Sequence, residues 1–156
     1  MKITREQILE EVRYDPETGV FTRVRTCRPY TKTNDRGYIA VYLGVLGRKV
    51  RAHRVAFFLM AGRWPEQVDH INGDRADNRW VNLRECTRAQ NNWNAGVQSN
   101  NQLGVKGVSL TKYGTYSARV VKEGVLYRKT FATLAQAEEW TRAKREELHG
   151  VFSRHQ

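Results

Sequence analysis

The sequence predicts an α+β protein: a basic, β-rich N-terminal stretch, then a strand, loop, strand and helix unit, then a small three-stranded antiparallel sheet carrying one helix. Three observations lead there. Apolar and polar residues alternate in short runs bounded by Gly, Pro, Asn and Asp, as half-buried strands require. Capping-box candidates at Thr4/Gln7 and Thr87/Gln90, and a cap at Thr133 ahead of Gln136, mark helix starts. Residues 96–104, rich in Gly, Ser, Asn and Gln, form the best linker in the chain. The expected organisation is an extension over 1–52, a core over 53–98, and a linker with a C-terminal module over 99–156.

In chain order, Ile3, Ile8, Leu9 and Val12 follow helical spacing, so a short opening helix is expected over 3–13. Residues 14–19 (YDPETG) are turn chemistry, and 20–25 alternate as a strand does. Residues 38–43 and 49–52 read as a hairpin closed near Gly44 and Gly47. Val55, Phe58 and Leu59 then recur at helical spacing just after His53, and Gly62 to Pro65 stop that helix. Residues 68–71 and 80–84 read as two short strands around a loop rich in Asn, Asp and Gly, and the box at Thr87 puts Asn91 in the first turns of a helix. Beyond the linker, 107–110, 115–122 and 125–131 are strand-like, with turns at 113–114 and 123–124. The closing helix shows Ala137, Trp140, Lys144 and Leu148 on one face.

The chain of 156 residues carries 27 Lys and Arg against 16 Asp and Glu, a net charge of +11. Basic residues outnumber acidic ones by eleven to six over 1–52 and ten to five over 99–156, but only six to five over 53–98. Basic flanks around a near-neutral middle suit a polyanion, because Lys and Arg that neutralise phosphates release condensed counterions. No run of 18 apolar residues could span a bilayer, and the N-terminus lacks the apolar core of a signal peptide, so an intracellular, cytoplasmic protein is expected. Cys27 and Cys86 are far apart and form no CxxC pair, which argues against a zinc ribbon and against a disulfide scaffold.

The candidate chemistry gathers at Asp69, His70, Asn82 and Asn91. Adjacent residues of a strand point to opposite sides, so Asp69 can hold a metal while His70 faces a water. Asn91, early in its helix, can bring an amide oxygen to the same ion. Such oxygen ligands suit one Mg²⁺ or Mn²⁺. His53, at its own helix start, serves equally well as a packing residue.

Residues 68–74 (VDHINGD), Asn78-Arg79, Asn82-Leu83-Arg84 and Gln90-Asn91-Asn92 resemble the HNH nuclease motif, in the form found in phage-type homing endonucleases, whose last position is Asn. The resemblance implies a ββα-metal fold and a metal-dependent DNA endonuclease of phage or mobile-element origin, acting in the host cytoplasm. By position it implies that His70 is the general base, that Asp69 and Asn91 coordinate one divalent cation, and that Asn82 orients His70 by hydrogen bonding across the hairpin. The implied products carry a 5′ phosphate and a 3′ hydroxyl. The alternative from another class is a non-catalytic DNA-binding or regulatory protein that keeps the fold.

Residues 104–151 resemble an AP2/ERF-type DNA-binding domain through Gly107-Val108, residues 116–120 (YSARV), residues 130–133 (TFAT) and the helix around 137–143. With Tyr116, Ala118 and Val120 facing the helix, Thr115, Ser117 and Arg119 face out, and such a sheet can lie in the major groove. Arg119 with Lys112, Lys122 and Arg128 is the expected contact set for double-stranded DNA. Arg suits bidentate reading of guanine, and Lys holds phosphate. No organic cofactor is expected, and a monomer is favoured.

Overall fold

The computed structural model describes residues 3–98 and 100–153. The chain divides into two compact units, Met1–Asn91 and Asn92–Gln156, each with its own apolar core.

Unit 1 opens on α1 (Arg5–Leu9), started by the Thr4/Gln7 capping box. This helix is shorter than the 3–13 expected, because Glu10 and Glu11 leave it and Val12 already pairs as β1 (Val12–Tyr14) with β2 (Phe21–Arg23). Glu11 is used elsewhere: its carboxylate accepts the backbone N–H groups of Gly44 and Val45 in the 3-10 turn Gly44–Leu46. That turn closes the antiparallel hairpin of β3 (Ala40–Leu43) and β4 (Arg48–Arg51), and Gly47 supplies the left-handed residue at φ 62°.

Helix α2 (Ala52–Ala61) follows directly and ends at Gly62 in the left-handed conformation. It buries Val55, Ala56, Phe57, Phe58 and Leu59 against Ile8, Val12, Phe21, Val41 and Leu43. Each Val, Leu, Ile or Phe side chain among these taken fully out of water stabilises the unit by about 1.5–3 kcal/mol. A second hairpin, β5 (Gln67–His70) with β6 (Leu83–Cys86), adds Val68 and Leu83 to this core. The strand expected over 80–84 begins only at Leu83. Trp80–Asn82 is a 3-10 turn, because the Trp80 N–H is taken by the Pro16 carbonyl (2.9 Å) and the Asn82 N–H by that of Arg79 (3.0 Å). Helix α3 (Arg88–Asn94) starts at the Thr87/Gln90 box, where the Thr87 N–H donates to Gln90 Oε1 (2.8 Å) and the Gln90 N–H to Thr87 Oγ1 (3.2 Å).

Unit 2 is an antiparallel sheet of β7 (Val108–Leu110), β8 (Tyr116–Lys122) and β9 (Val125–Phe131), with β8 central, and α4 (Leu134–His149) packed on it. Ala118 and Val120 are buried on the helix side as expected, with Val108 and Ala137. Ser117 lies on the other face yet is buried, because the Arg128 side chain covers it and donates through Nε to its hydroxyl (3.1 Å). The buried stripe of α4 is Ala137, Thr141, Arg145 and His149, so Lys144 and Leu148 flank it and do not centre it. Three polar members hid that stripe from a reading of apolar periodicity.

Candidate active site

The register of the β5–β6 hairpin sets Asp69 opposite Arg84 and His70 opposite Leu83. Cross-strand partners share a face, and Asp69 accepts a charge-assisted bond from Arg84 Nε (2.8 Å), with Nη2 at 2.7 Å. Both partners are largely covered, and Asp69 is buried. Gln67 lies two residues before Asp69 and so on the same face. Asn91 of α3 donates through Nδ2 to Gln67 Oε1 (3.1 Å), which ties the helix to the face bearing Asp69 and leaves the amide oxygen as its acceptor end. The three are thus gathered on one side of the hairpin.

His70 occupies the opposite side, beneath the loop between the strands. Its Nε2 lies 3.5 Å from Oδ1 of Asn78, the long end of hydrogen-bonding range. Asn78 is 1% exposed and held from three directions. Its Nδ2 donates to the Ala76 carbonyl (2.9 Å), which fixes which end of the amide faces His70. Its own carbonyl accepts from the Tyr14 hydroxyl (2.8 Å). Gly19 packs so closely that a Cβ there would meet Arg79 N at 2.5 Å and Asn78 C at 2.6 Å. The β1–β2 turn therefore braces the residue that contacts His70.

Asn82 does not make the bond to His70 that its position implied. Its Oδ1 accepts from the Asn72 N–H (2.9 Å) and its Nδ2 donates to the Asp77 carbonyl (2.9 Å), so both ends of the amide are spent on closing the loop. The contact falls to Asn78. Sequence reasoning passed over it because Asn in a turn-rich segment reads as a loop former. The usable signal was its place in the same loop, eight residues after His70.

His70 packs edge-on against His53 (ring centroids 4.9 Å), and Tyr38 lies 5.3 Å from His53 and 6.1 Å from His70. Burial is the main cause that holds the His70 pKa below its ordinary value, opposed by the Asn78 contact and by Asp69. His53 is 3% exposed, with Nδ1 buried and unpartnered, and burial followed by repulsion from His70 depresses its pKa to about 3. Both rings are therefore neutral at pH 7, as a proton acceptor must be.

Among the described residues, no three His, Cys, Asp or Glu side chains cluster as a preformed metal cage. The expected donors are instead one carboxylate, Asp69, and one amide oxygen, Asn91. Hard oxygen donors in so small a number fit Mg²⁺ or Mn²⁺, which keep several waters and bind through one or two carboxylates together with substrate phosphate. They do not fit structural zinc, which takes four Cys or His ligands. Cys86 is buried, and Cys27 is exposed and free.

A model of the HNH endonuclease family matches residues 50–93, which run from β4 through the β5–β6 hairpin into α3. Protein 3.8 of Escherichia phage T7 is 32% identical over 88 residues, 56% of this chain and 73% of that protein. The chain belongs to the HNH endonuclease family. An uncharacterized HNH endonuclease of Acanthamoeba polyphaga mimivirus is 35% identical over 109 residues, 67% of this chain, and the match spans only 56% of the mimivirus protein. No solved structure matches the chain. The HNH segment contains all four residues of the expected site, Asp69, His70, Asn82 and Asn91. Tyr14 and Gly19, which brace it, lie outside the matched segment.

The expected DNA contacts lie in unit 2. Arg119 and Arg128 are a directly opposed cross-strand pair on the face away from α4. Lys122 ends β8 in register with Ala118 and Val120, on the other face. Lys112 sits in the β7–β8 turn with its Nζ 4.9 Å from the Tyr113 ring centroid. Among the described residues, no helix is long and apolar enough to cross a membrane.

Proposed function

We propose that this chain is a DNA endonuclease of the phage homing type, hydrolysing phosphodiester bonds in its ββα-metal core with His70 as the general base. The observation that carries the reading is the division of the β5–β6 hairpin: a neutral, oriented imidazole on one side, and Asp69 with Asn91 tied to the other.

His70 takes the proton of a water that attacks phosphorus. With Nε2–H donating to Asn78 Oδ1, the imidazole is fixed in the tautomer whose Nδ1 carries the lone pair. Burial sets its basicity first, opposed by the Asn78 contact and by Asp69, Asp74 and Asp77. Asp69 and Asn91 would hold Mg²⁺ or Mn²⁺, which when bound stabilises the charge on phosphorus and on the leaving 3′ oxygen. Arg84 fixes the Asp69 carboxylate in place. Cleavage on this side of the phosphate leaves a 5′ phosphate and a 3′ hydroxyl.

The three-stranded antiparallel sheet and single helix of unit 2 support the reading of this module as an AP2/ERF-type domain, which delivers DNA to the nuclease core. Arg119 and Arg128 read the groove, while Lys112 and Lys122 hold phosphate.

A plasmid-cleavage assay with Mg²⁺, and with chelator, tests the proposal. Cleavage should require the metal, and His70→Ala should lower it at least a thousandfold while DNA binding stays within twofold. Binding without cleavage over a range of metals and DNA substrates would instead make the chain a DNA-binding protein on a retained HNH fold.

A further inference from the structure

Unit 2 encloses a pocket of about 560 Å³ whose wall includes Trp93, Lys106, Gly107, Arg119, Arg145 and His149, and which no Asp or Glu lines. Arg145 is its centre. The residue is 5% exposed and makes no ion pair among the described residues. Its Nη2 donates to the Lys106 carbonyl, which satisfies one of five N–H donors and no charge. A buried guanidinium without a carboxylate is costly. Burial lowers its pKa to about 10, so it remains a cation at neutral pH.

The wall is shaped around that cation. At Gly107 (φ +75°) a Cβ would lie 2.8 Å from Arg145 Nη2 and 2.6 Å from the Arg119 carbonyl, so only glycine lets the guanidinium reach its place. His149, one helical turn beyond Arg145 on the same stripe, has its Nε2 3.0 Å from the Val121 carbonyl. With Nε2–H donating there, Nδ1 carries a lone pair, and this atom is buried without a partner. The His149 ring stacks on Trp93 with centroids 4.4 Å apart and planes 1° from parallel. The pocket thus sets a buried cation beside an imidazole stacked on an indole.

We propose that this pocket binds a nucleotide, with Arg145 taking the phosphate. Guanidinium pairs with phosphate through short, paired, charge-assisted bonds, and the volume lies in the range of small-molecule sites. The phosphate can come from a free mononucleotide or from the 5′ end of a DNA strand. The site stands on residues of unit 2 alone and does not depend on the nuclease reading.

Calorimetric titration of the full chain with deoxyadenosine monophosphate, deoxyadenosine, and a short single strand with or without a 5′ phosphate tests this. The monophosphate should bind saturably, and deoxyadenosine at least tenfold more weakly. Tighter binding of the phosphorylated strand than of the monophosphate assigns the strand end, and the reverse assigns the free nucleotide. Arg145→Gln should weaken the monophosphate at least tenfold. If that variant does not fold by circular dichroism, Arg145→Lys, which keeps the charge but not the paired N–H donors, should weaken it at least threefold. Binding of the monophosphate should persist in the presence of chelator, which separates this site from the metal-dependent nuclease core. No saturable binding of the monophosphate or the phosphorylated strand, equal affinity for deoxyadenosine, or wild-type affinity in the folded variants overturns the proposal.

Discussion

Two asparagines four residues apart in the loop between β5 and β6 divide the tasks that one was expected to carry. Asn78 contacts His70, whereas Asn82 bonds Asn72 and Asp77 and holds the loop closed. Asn78→Ala should therefore cost catalysis first, lowering kcat by about ten- to a hundredfold with DNA affinity little changed. Asn82→Ala should cost stability first, about 1–3 kcal/mol, since it strips the partner from a part-buried backbone N–H. Cleavage kinetics and urea denaturation of the two variants check the division, and equal kinetic losses would refute it. His53 adds a pH signature. Its pKa of about 3 lies below the ordinary 6.5, so the unfolded chain binds the extra proton between those values. The stability it contributes is complete above about pH 6.5 and is lost as pH falls towards 3, at roughly 1.4 kcal/mol per pH unit. Urea midpoints between pH 7 and 4.5 should fall less steeply in His53→Phe, and an unchanged slope would show that the ring is not buried neutral.

Among the elements, the β1–β2 turn matters most to the site although it lies outside the matched HNH segment. Pro16 takes the Trp80 N–H, Tyr14 donates to the Asn78 carbonyl, and Gly19 sits against the 78–79 backbone. Gly19→Ala combines a left-handed φ of 74° with contact to main-chain atoms that cannot swing away. It should cost more than about 2 kcal/mol and reduce cleavage in parallel with Asn78→Ala; a change under about 0.5 kcal/mol in urea denaturation would show that the turn is not a brace. The capping boxes that start α1 and α3, the Thr133 cap of α4 and the glycines that end hairpin and helix were legible in the sequence, because each is a local device. The pairing of Asp69 with Arg84, the placing of Asn91 and the choice of Asn78 over Asn82 were not. They depend on register and on a turn from residues 60 positions away, which periodicity does not encode. The polar stripe of α4 escaped for a related reason: Thr141 bonds back to the Ala137 carbonyl of its own helix, and Arg145 and His149 are buried by partners that only tertiary structure supplies.

At the scale of the whole molecule, the charge is divided. The stretches before and after the HNH core hold most of the excess of basic over acidic residues, so in the proposed reading the parts that hold DNA need not be the part that cuts it. Arg119 and Arg128 face each other across β8 and β9, two like charges in direct opposition on the outer sheet face. Such a pair repels in the free protein and is stabilised by an anion lying across it. If both contact phosphate, replacing both with Ala should reduce the slope of log K against log salt by about two. If one reads a base edge, its single variant should instead lose about 1–3 kcal/mol of discrimination between target and non-target duplex. In either case the pair lies in unit 2, so cleavage at saturating DNA should stay within about twofold while the DNA concentration needed to reach it rises. Binding isotherms at several salt concentrations, read beside saturated cleavage rates, separate the two contributions. A double variant that cuts as poorly at saturation as it binds would show that the sheet takes part in the chemistry, and an unchanged salt slope with unchanged discrimination would remove this face from the DNA contact altogether.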